Sequence, residues 1–178
     1  MSIIEFNDRV AIVTGAGGGL GRSHALELAR RGVKVVVNDL GGSVSGVGGS
    51  ATMAENVVEE IREFGGTAMA NGANVTNPEE VQDMVGSVIE KWGHIDILVN
   101  NAGILRDKSF TKMDLNDFRL VIEVHLMGSV ICTKAVWDHM KERKYGRIVM
   151  TTSSSGNYGN FGQTNYGAAK TGVVGLMN

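Results

Sequence analysis

Five short apolar runs, at 10–14, 33–37, 67–70, 95–99 and 147–151, alternate along this chain with longer stretches of helical periodicity. That alternation constrains the fold more than any other feature. The run at 33–37 shows no polar alternation, with Lys34 its one charged residue, and those at 10–14 and 95–99 are similar. This is the pattern of strands covered on both faces rather than on one. The intervening segments read as helices over roughly 20–31, 52–64, 77–92, 114–143 and 163–178. Asn77-Pro78-Glu79-Glu80 is a helix start, with a capping amide, proline in the first turn and two acids. Gly32, Gly65 and Gly93 stand where helices should stop. Strand and helix in strict alternation predict an α/β fold: a doubly wound, Rossmann-like parallel sheet with right-handed crossovers and helices on both faces.

In such sheets ligands bind beyond the carboxyl ends of the strands. Every chemically distinctive stretch falls at that edge. Glycines 15–21 follow the first strand, Asp39 the second, Asn74 the third, residues 100–103 the fourth and Ser153 the fifth. The chain has 25 glycines and one proline, so its glycine is not that of a disordered linker. The glycines cluster at 15–21, 41–49 and 156–175, and the stretch 41–50 is expected to be a mobile loop.

The first cluster, Thr14-Gly15 followed by Gly18, Gly19, Leu20 and Gly21, sits between the first strand and its helix. Glycines there let main chain approach a pyrophosphate, and the helix start supplies free N–H groups. The literal G-x-G-x-x-G template is not met, because Leu20 and Arg22 occupy its last position in the two available registers. A tight turn packing helix on strand is the alternative. Its place in a βαβ unit favours a nucleotide site. Asp39, at the end of the second strand, can accept from an adenosine ribose and repel a 2′-phosphate, and no Lys or Arg follows closely. This selects NAD over NADP as the expected cofactor. Asp39 could instead start a turn with Gly41-Gly42.

Tyr166 and Lys170 are four residues apart, on one face of the last helix. A phenol is a poor acid at neutral pH, and a fixed ammonium beside one favours its phenolate. The pair is common by chance and gains meaning only from the motifs around it.

Composition excludes several functions. Net charge is −2 with no basic run, so neither nucleic acid nor an anionic membrane surface is an expected partner. Cys132 is the sole cysteine, which rules out an intrachain disulfide and a cysteine-rich metal site. His24, His94 and His139 have no ligand spacing. With no signal peptide pattern and no uninterrupted apolar run of 18 residues, a reducing soluble compartment is expected, the cytoplasm first and the peroxisome second.

Taken together, Thr14-Gly15-x-x-x-Gly19-x-Gly21, Asn100-Asn101-Ala102-Gly103, Ser153 and Tyr166-x-x-x-Lys170 resemble the short-chain dehydrogenase/reductase superfamily over essentially the whole chain. Longer stretches are similar to one branch: Asn38-Asp39-Leu40-Gly41-Gly42, Gly103-Ile104-Leu105-Arg106-Asp107, Val124-His125-Leu126 and the segments 144–148 and 156–162. That branch holds the (3R)-hydroxyacyl-CoA dehydrogenase part of peroxisomal multifunctional enzyme type 2 and bacterial single-domain relatives.

The resemblance implies NAD-dependent interconversion of a secondary alcohol and a ketone, with an acyl-CoA as the small-molecule substrate. Tyr166 would be the general acid/base, Lys170 its activator and ribose ligand, and Ser153 the hydrogen-bond partner of the substrate oxygen. Asn101, Ala102 and Gly103 would line the cofactor, and Asn74 and Val75 would meet the adenine. Many members carry Asn in the long helix where this chain has His125, so a catalytic or relay role for His125 competes with a packing role. A homodimer or homotetramer through the long and last helices is also implied. Members continue beyond the Lys-bearing helix, so residues 1–178 are expected to be a single dinucleotide-binding domain truncated at its C-terminus. Steroid, sugar or acyl-carrier-protein substrates, and a non-catalytic NAD-binding protein, remain as alternatives.

Overall fold

A computed structural model describes residues 4–46 and 52–178. It contains five parallel strands in the order β3-β2-β1-β4-β5: β1 Val10–Thr14, β2 Lys34–Asn38, β3 Ala68–Asn71, β4 Ile97–Asn100 and β5 Arg147–Met150. The helices are α1 Gly19–Arg30, α2 Thr52–Glu63, α3 Pro78–Trp92, α4 Leu115–Ile122, α5 Gly128–Glu142, α6 Ser154–Tyr158 and α7 Thr164–Met177. Between β1 and its neighbours the chain reverses direction of winding, so the edge beside β1 and β4 is the switch point where such folds hold ligands.

Strand alternation builds two cores. Ala11, Val13, Val35 and Val37 face α1 and α2, packing on Ala25, Leu26, Val57 and Ile61. Val10, Ile12, Val36 and Leu98 face the other way, onto Val81, Met84 and Val85 of α3 and Cys132 and Val136 of α5. Both faces of β1, β2 and β4 are covered, which is why these strands read as apolar runs without alternation. Burial pushes the Cys132 thiol up to about 12, so it behaves as a small apolar side chain.

Local chemistry sets the helix ends as expected. Asn77 Oδ1 accepts the N–H groups of Glu79 and Glu80, with Pro78 in the first turn. Gly93 closes α3 in the left-handed conformation at φ 81°.

Strand starts and one helix differ from expectation. The second, third and fourth strands begin one, one and two residues later than 33, 67 and 95. The serine run, expected only to follow the fifth strand, opens the short helix α6. Of the loop expected at 41–50, residues 47–50 lie outside the described residues. The long helix expected over 114–143 is interrupted: Glu123–Met127 is π-helical, with the Gly128 N–H reaching back to the Glu123 carbonyl. By length and composition Leu115–Glu142 could cross a membrane. Its buried residues, Val121, His125, Gly128, Ser129, Cys132, Val136 and Met140, instead form one stripe turned to the protein interior. His94 lies away from that helix: its Nε2 is 3.1 Å from the buried Asp96 carboxylate and 2.9 Å from the Asp8 carbonyl.

Candidate active site

At the carboxyl edge of the sheet a cleft of about 600 Å³ opens, lined by Gly15, Gly18, Gly19, Asp39, Asn74, Val75, Asn101, Ala102 and Gly103. Nine of the residues singled out from sequence therefore share one cavity. Its further wall, from Ser43, Val44, Gly46, Leu120 and Val124, held no residue given a site role from sequence, because loop and helix residues are brought there only by folding.

The floor of the cleft is held by Thr14 and Asn101. Thr14 Oγ1 accepts the N–H groups of Asn101 and Ala102, both at 3.0 Å, and donates to the Val99 carbonyl at 3.3 Å. Asn101 Nδ2 donates to the Thr14 and Gly15 carbonyls at 3.0 Å each. Strand ends β1 and β4 are thereby stitched together by side chains where the ladder runs out. Gly15 has φ +62°, and a Cβ there would lie 2.7 Å from the Ala102 Cα, so neither the conformation nor the space admits a side chain.

Asp39 serves the site and its own turn together. One carboxylate oxygen accepts the Gly17 N–H at 2.8 Å, and the other accepts the Gly41 N–H at 2.7 Å. Asn38, buried and given no site role from sequence, donates from Nδ2 to the Ala73 carbonyl at 2.9 Å and the Asn71 Oδ1 at 3.1 Å. It ties the end of β2 to the loop carrying Asn74. Asn74 Oδ1 is engaged by the N–H and hydroxyl of Thr76, at 3.0 and 2.9 Å, which leaves its Nδ2 as the group free of that turn.

A dinucleotide fits these residues. Gly18 precedes α1 in an extended conformation with no side-chain cap, so no capping side chain occupies the first-turn N–H groups beside the cleft. Gly21 packs so closely that a Cβ would overlap the Gly15 carbonyl oxygen. Leu20 is exposed on the first turn of α1, and neither it nor Gly21 lines the cleft.

A second constellation borders the first. Lys170 is buried, and its Nζ donates to the Thr151 carbonyl at 2.5 Å, just past the end of β5. The same Nζ lies 5.6 Å from the Tyr166 ring centroid. Burial lowers the Lys170 ammonium to about 8. Ser153 caps α6, its Oγ accepting the Ser155 N–H at 3.2 Å, and keeps its own O–H to donate. That helix lies against α7: Thr171 Oγ1 donates to the Gly156 carbonyl at 2.6 Å.

His125, inside the π-helical turn, joins the two. Its ring meets the Tyr166 ring edge-on at 5.1 Å. Its Nε2 lies 3.0 Å from the Ile104 N and 2.9 Å from the Ile104 O, and a Cβ on Gly103 would overlap the ring. Burial, and secondarily the Lys170 ammonium, lowers the imidazole to about 4 against a partial offset from the Ile104 backbone bond. The ring is therefore neutral near pH 7, so one tautomer satisfies one of the two Ile104 contacts. Among the described residues, His125 Nδ1 is the buried side-chain polar atom with no hydrogen-bond partner. Among the same residues no cluster of His, Cys, Asp and Glu suits a metal.

A family model described as short chain dehydrogenase matches residues 9–178. The chain is 54% identical over 175 residues to peroxisomal multifunctional enzyme A of Dictyostelium discoideum, covering 98% of this chain and 39% of that protein. It is 52% identical over 177 residues to peroxisomal multifunctional enzyme type 2 of Mus musculus, covering 99% of this chain and 24% of that protein. It thus spans well under half the length of either relative. Among solved structures it is similar to a 7α-hydroxysteroid dehydrogenase complexed with NADH and 7-oxo glycochenodeoxycholic acid. The TM-score is 0.88 at 32% identity, over 97% of this chain and 64% of that one.

Proposed function

The chain belongs to the short-chain dehydrogenase family, and on that premise we propose an NAD-dependent oxidoreductase that interconverts (3R)-3-hydroxyacyl-CoA and 3-oxoacyl-CoA. The observation that carries the chemistry is the buried Lys170 ammonium, fastened to the Thr151 carbonyl and facing Tyr166 beside the cleft. The similarity to the multifunctional enzymes supports the acyl-CoA substrate. Residues 1–178 act in this reading as one dinucleotide-binding domain.

NAD, when bound, supplies the hydride acceptor. Gly15, Gly18, Gly19 and the α1 N–H groups would hold its pyrophosphate, with Leu20 and Gly21 shaping that turn. Asp39 would accept from the adenosine ribose with the lone pairs left by Gly17 and Gly41. Asn74 and Val75 would border the adenine, and Asn101, Ala102 and Gly103 the rest of the cofactor. Tyr166 takes the hydroxyl proton in oxidation and returns it in reduction. The Ser153 O–H holds the substrate oxygen in line. Lys170 favours the phenolate through its charge and passes the proton onward. His125, neutral and clamped to Ile104, keeps the Tyr166 ring against the cleft wall.

We further place the protein in a reducing compartment, cytoplasmic or peroxisomal, as a homodimer or homotetramer. The exposed Trp137 on α5 supports a helix-mediated interface. The deciding experiment is NAD reduction with (3R)-hydroxyacyl-CoA substrates of graded chain length, run beside a steroid, a sugar and an acyl-carrier-protein substrate. Turnover concentrated on acyl-CoA supports the proposal. Preference for another class, or binding of NAD with no turnover on any, overturns it.

A further inference from the structure

Tyr166 occupies the third position of α7, in the turn where helices fray and N–H groups lack partners. The residue that should cap that turn, Gln163, makes no capping bond. Asn165 supplies one from inside the helix: its Oδ1 accepts the Tyr166 N–H at 2.8 Å. Its Nδ2 donates to the Arg106 carbonyl at 3.0 Å, and the residue is 0% exposed. A single amide orientation satisfies both bonds, because one partner is a donor and the other an acceptor.

The strap holding that amide is itself anchored. Arg106 pairs with Asp117 at 3.0 Å and donates to the Ser45 carbonyl at 2.6 Å, at the rim of the cofactor cleft. Gln163, uncommitted to a cap, donates from Nε2 to Asp107 at 2.7 Å and accepts from Ser155 at 2.9 Å, two residues beyond Ser153. The start of the Tyr166 helix is therefore docked on the segment leaving β4, and neither anchor comes from Lys170, a turn further along.

We propose that Asn165 is a positioning residue for Tyr166. By bridging the Tyr166 N–H and the Arg106 carbonyl, it replaces the missing cap and holds the phenol over the reacting atoms, with Gln163 and Asp107 as a second tie. The inference rests on the dehydrogenase reading, since it assigns Tyr166 the proton transfer.

Asn165→Asp keeps the acceptor toward Tyr166 but sets a carboxylate against the Arg106 carbonyl. In the full-length protein at pH 8, kcat with the hydroxyacyl-CoA substrate falls about 10- to 100-fold, while the NAD Kd changes by less than about twofold. As pH is lowered, the introduced carboxyl gains a proton and can donate to Arg106 again, so the ratio of variant to parent kcat climbs. A ratio flat in pH, or a Kd that rises in step with the loss of kcat, overturns the inference. Should that variant fail to fold, Gln163→Glu lowers kcat by opposing Asp107, and adding Asp107→Asn restores it; no restoration overturns it equally. If the parent chain turns over no hydroxyacyl-CoA, the functional proposal falls. Amide exchange then decides: the Tyr166 N–H exchanges about tenfold faster in Asn165→Ala, which lacks the acceptor, than in the parent, and equal rates reject the positioning role.

Discussion

His125 and Tyr166 meet edge to face, with ring centroids 5.1 Å apart and planes at 88°. The imidazole in this contact is buried, and burial lowers His125 to about 4. The unfolded chain takes up that proton near the ordinary histidine value of about 6.5. Between pH 6.5 and 4 the unfolded state therefore binds more protons, and stability is lost as pH falls.

From pH 7 to pH 5 this single group should remove about 2 kcal/mol of folding stability. Urea unfolding of the parent and of His125→Asn at both pH values isolates it. The parent is expected to lose that much more than the variant; equal losses would show that His125 does not stay neutral in the folded state.

Lys170 makes the opposite end of the pH scale informative. Its folded value of about 8 lies below the ordinary 10.5, so the native state gives up its proton first. Stability contributed by this group is lowest at neutral pH and recovers as pH rises from 8 toward 10.5. Relative to Lys170→Met, the parent should gain about 2 kcal/mol between pH 8 and pH 10, measured by denaturant midpoints with the m-value held constant. The same variant should lack turnover at every pH. A parent and variant that track each other would mean that the ammonium is better solvated than its burial indicates.

Tyr166→Phe removes the proton acceptor and keeps the ring against His125. Turnover should drop by about 10³-fold or more, with NAD affinity and melting temperature close to those of the parent. Retained turnover would remove Tyr166 from the mechanism.

Asp39→Ala should narrow the preference for NAD over NADP, since the carboxylate that repels a 2′-phosphate is gone. It should also weaken NAD itself, because Gly17 and Gly41 lose their acceptor at about 1–3 kcal/mol for bonds to a charged group. Titrating both dinucleotides separates the effects: an unchanged ratio of the two dissociation constants would reduce Asp39 to a turn residue.

Sequence alone determined the class of fold and the edge where the site lies. The apolar runs, the glycine stops and the Asn77-Pro78 start are local signals, set by strand burial and helix capping within a few residues. They located all five strands to within two residues and identified nine residues that share one cleft. The choice between a turn and a cofactor role for Asp39 was not decidable at that level. Folding resolves the structural part, since its two oxygens reach Gly41 nearby and Gly17 on another strand end.

Only tertiary structure decided the rest. The π turn at Glu123–Met127 depends on how the long helix packs, and so does the placing of His125 between Ile104 and Tyr166. The bonds of Asn38 to Ala73 and of Asn165 to Arg106 span 35 and 59 residues of sequence. No periodicity encodes such pairs. A lone amide reads as a surface residue until the chain buries it, and burial then obliges it to find partners wherever the fold has brought a free carbonyl or N–H. The motif at Tyr166 and Lys170 was legible through the motifs around it, while the contacts that hold the pair were not.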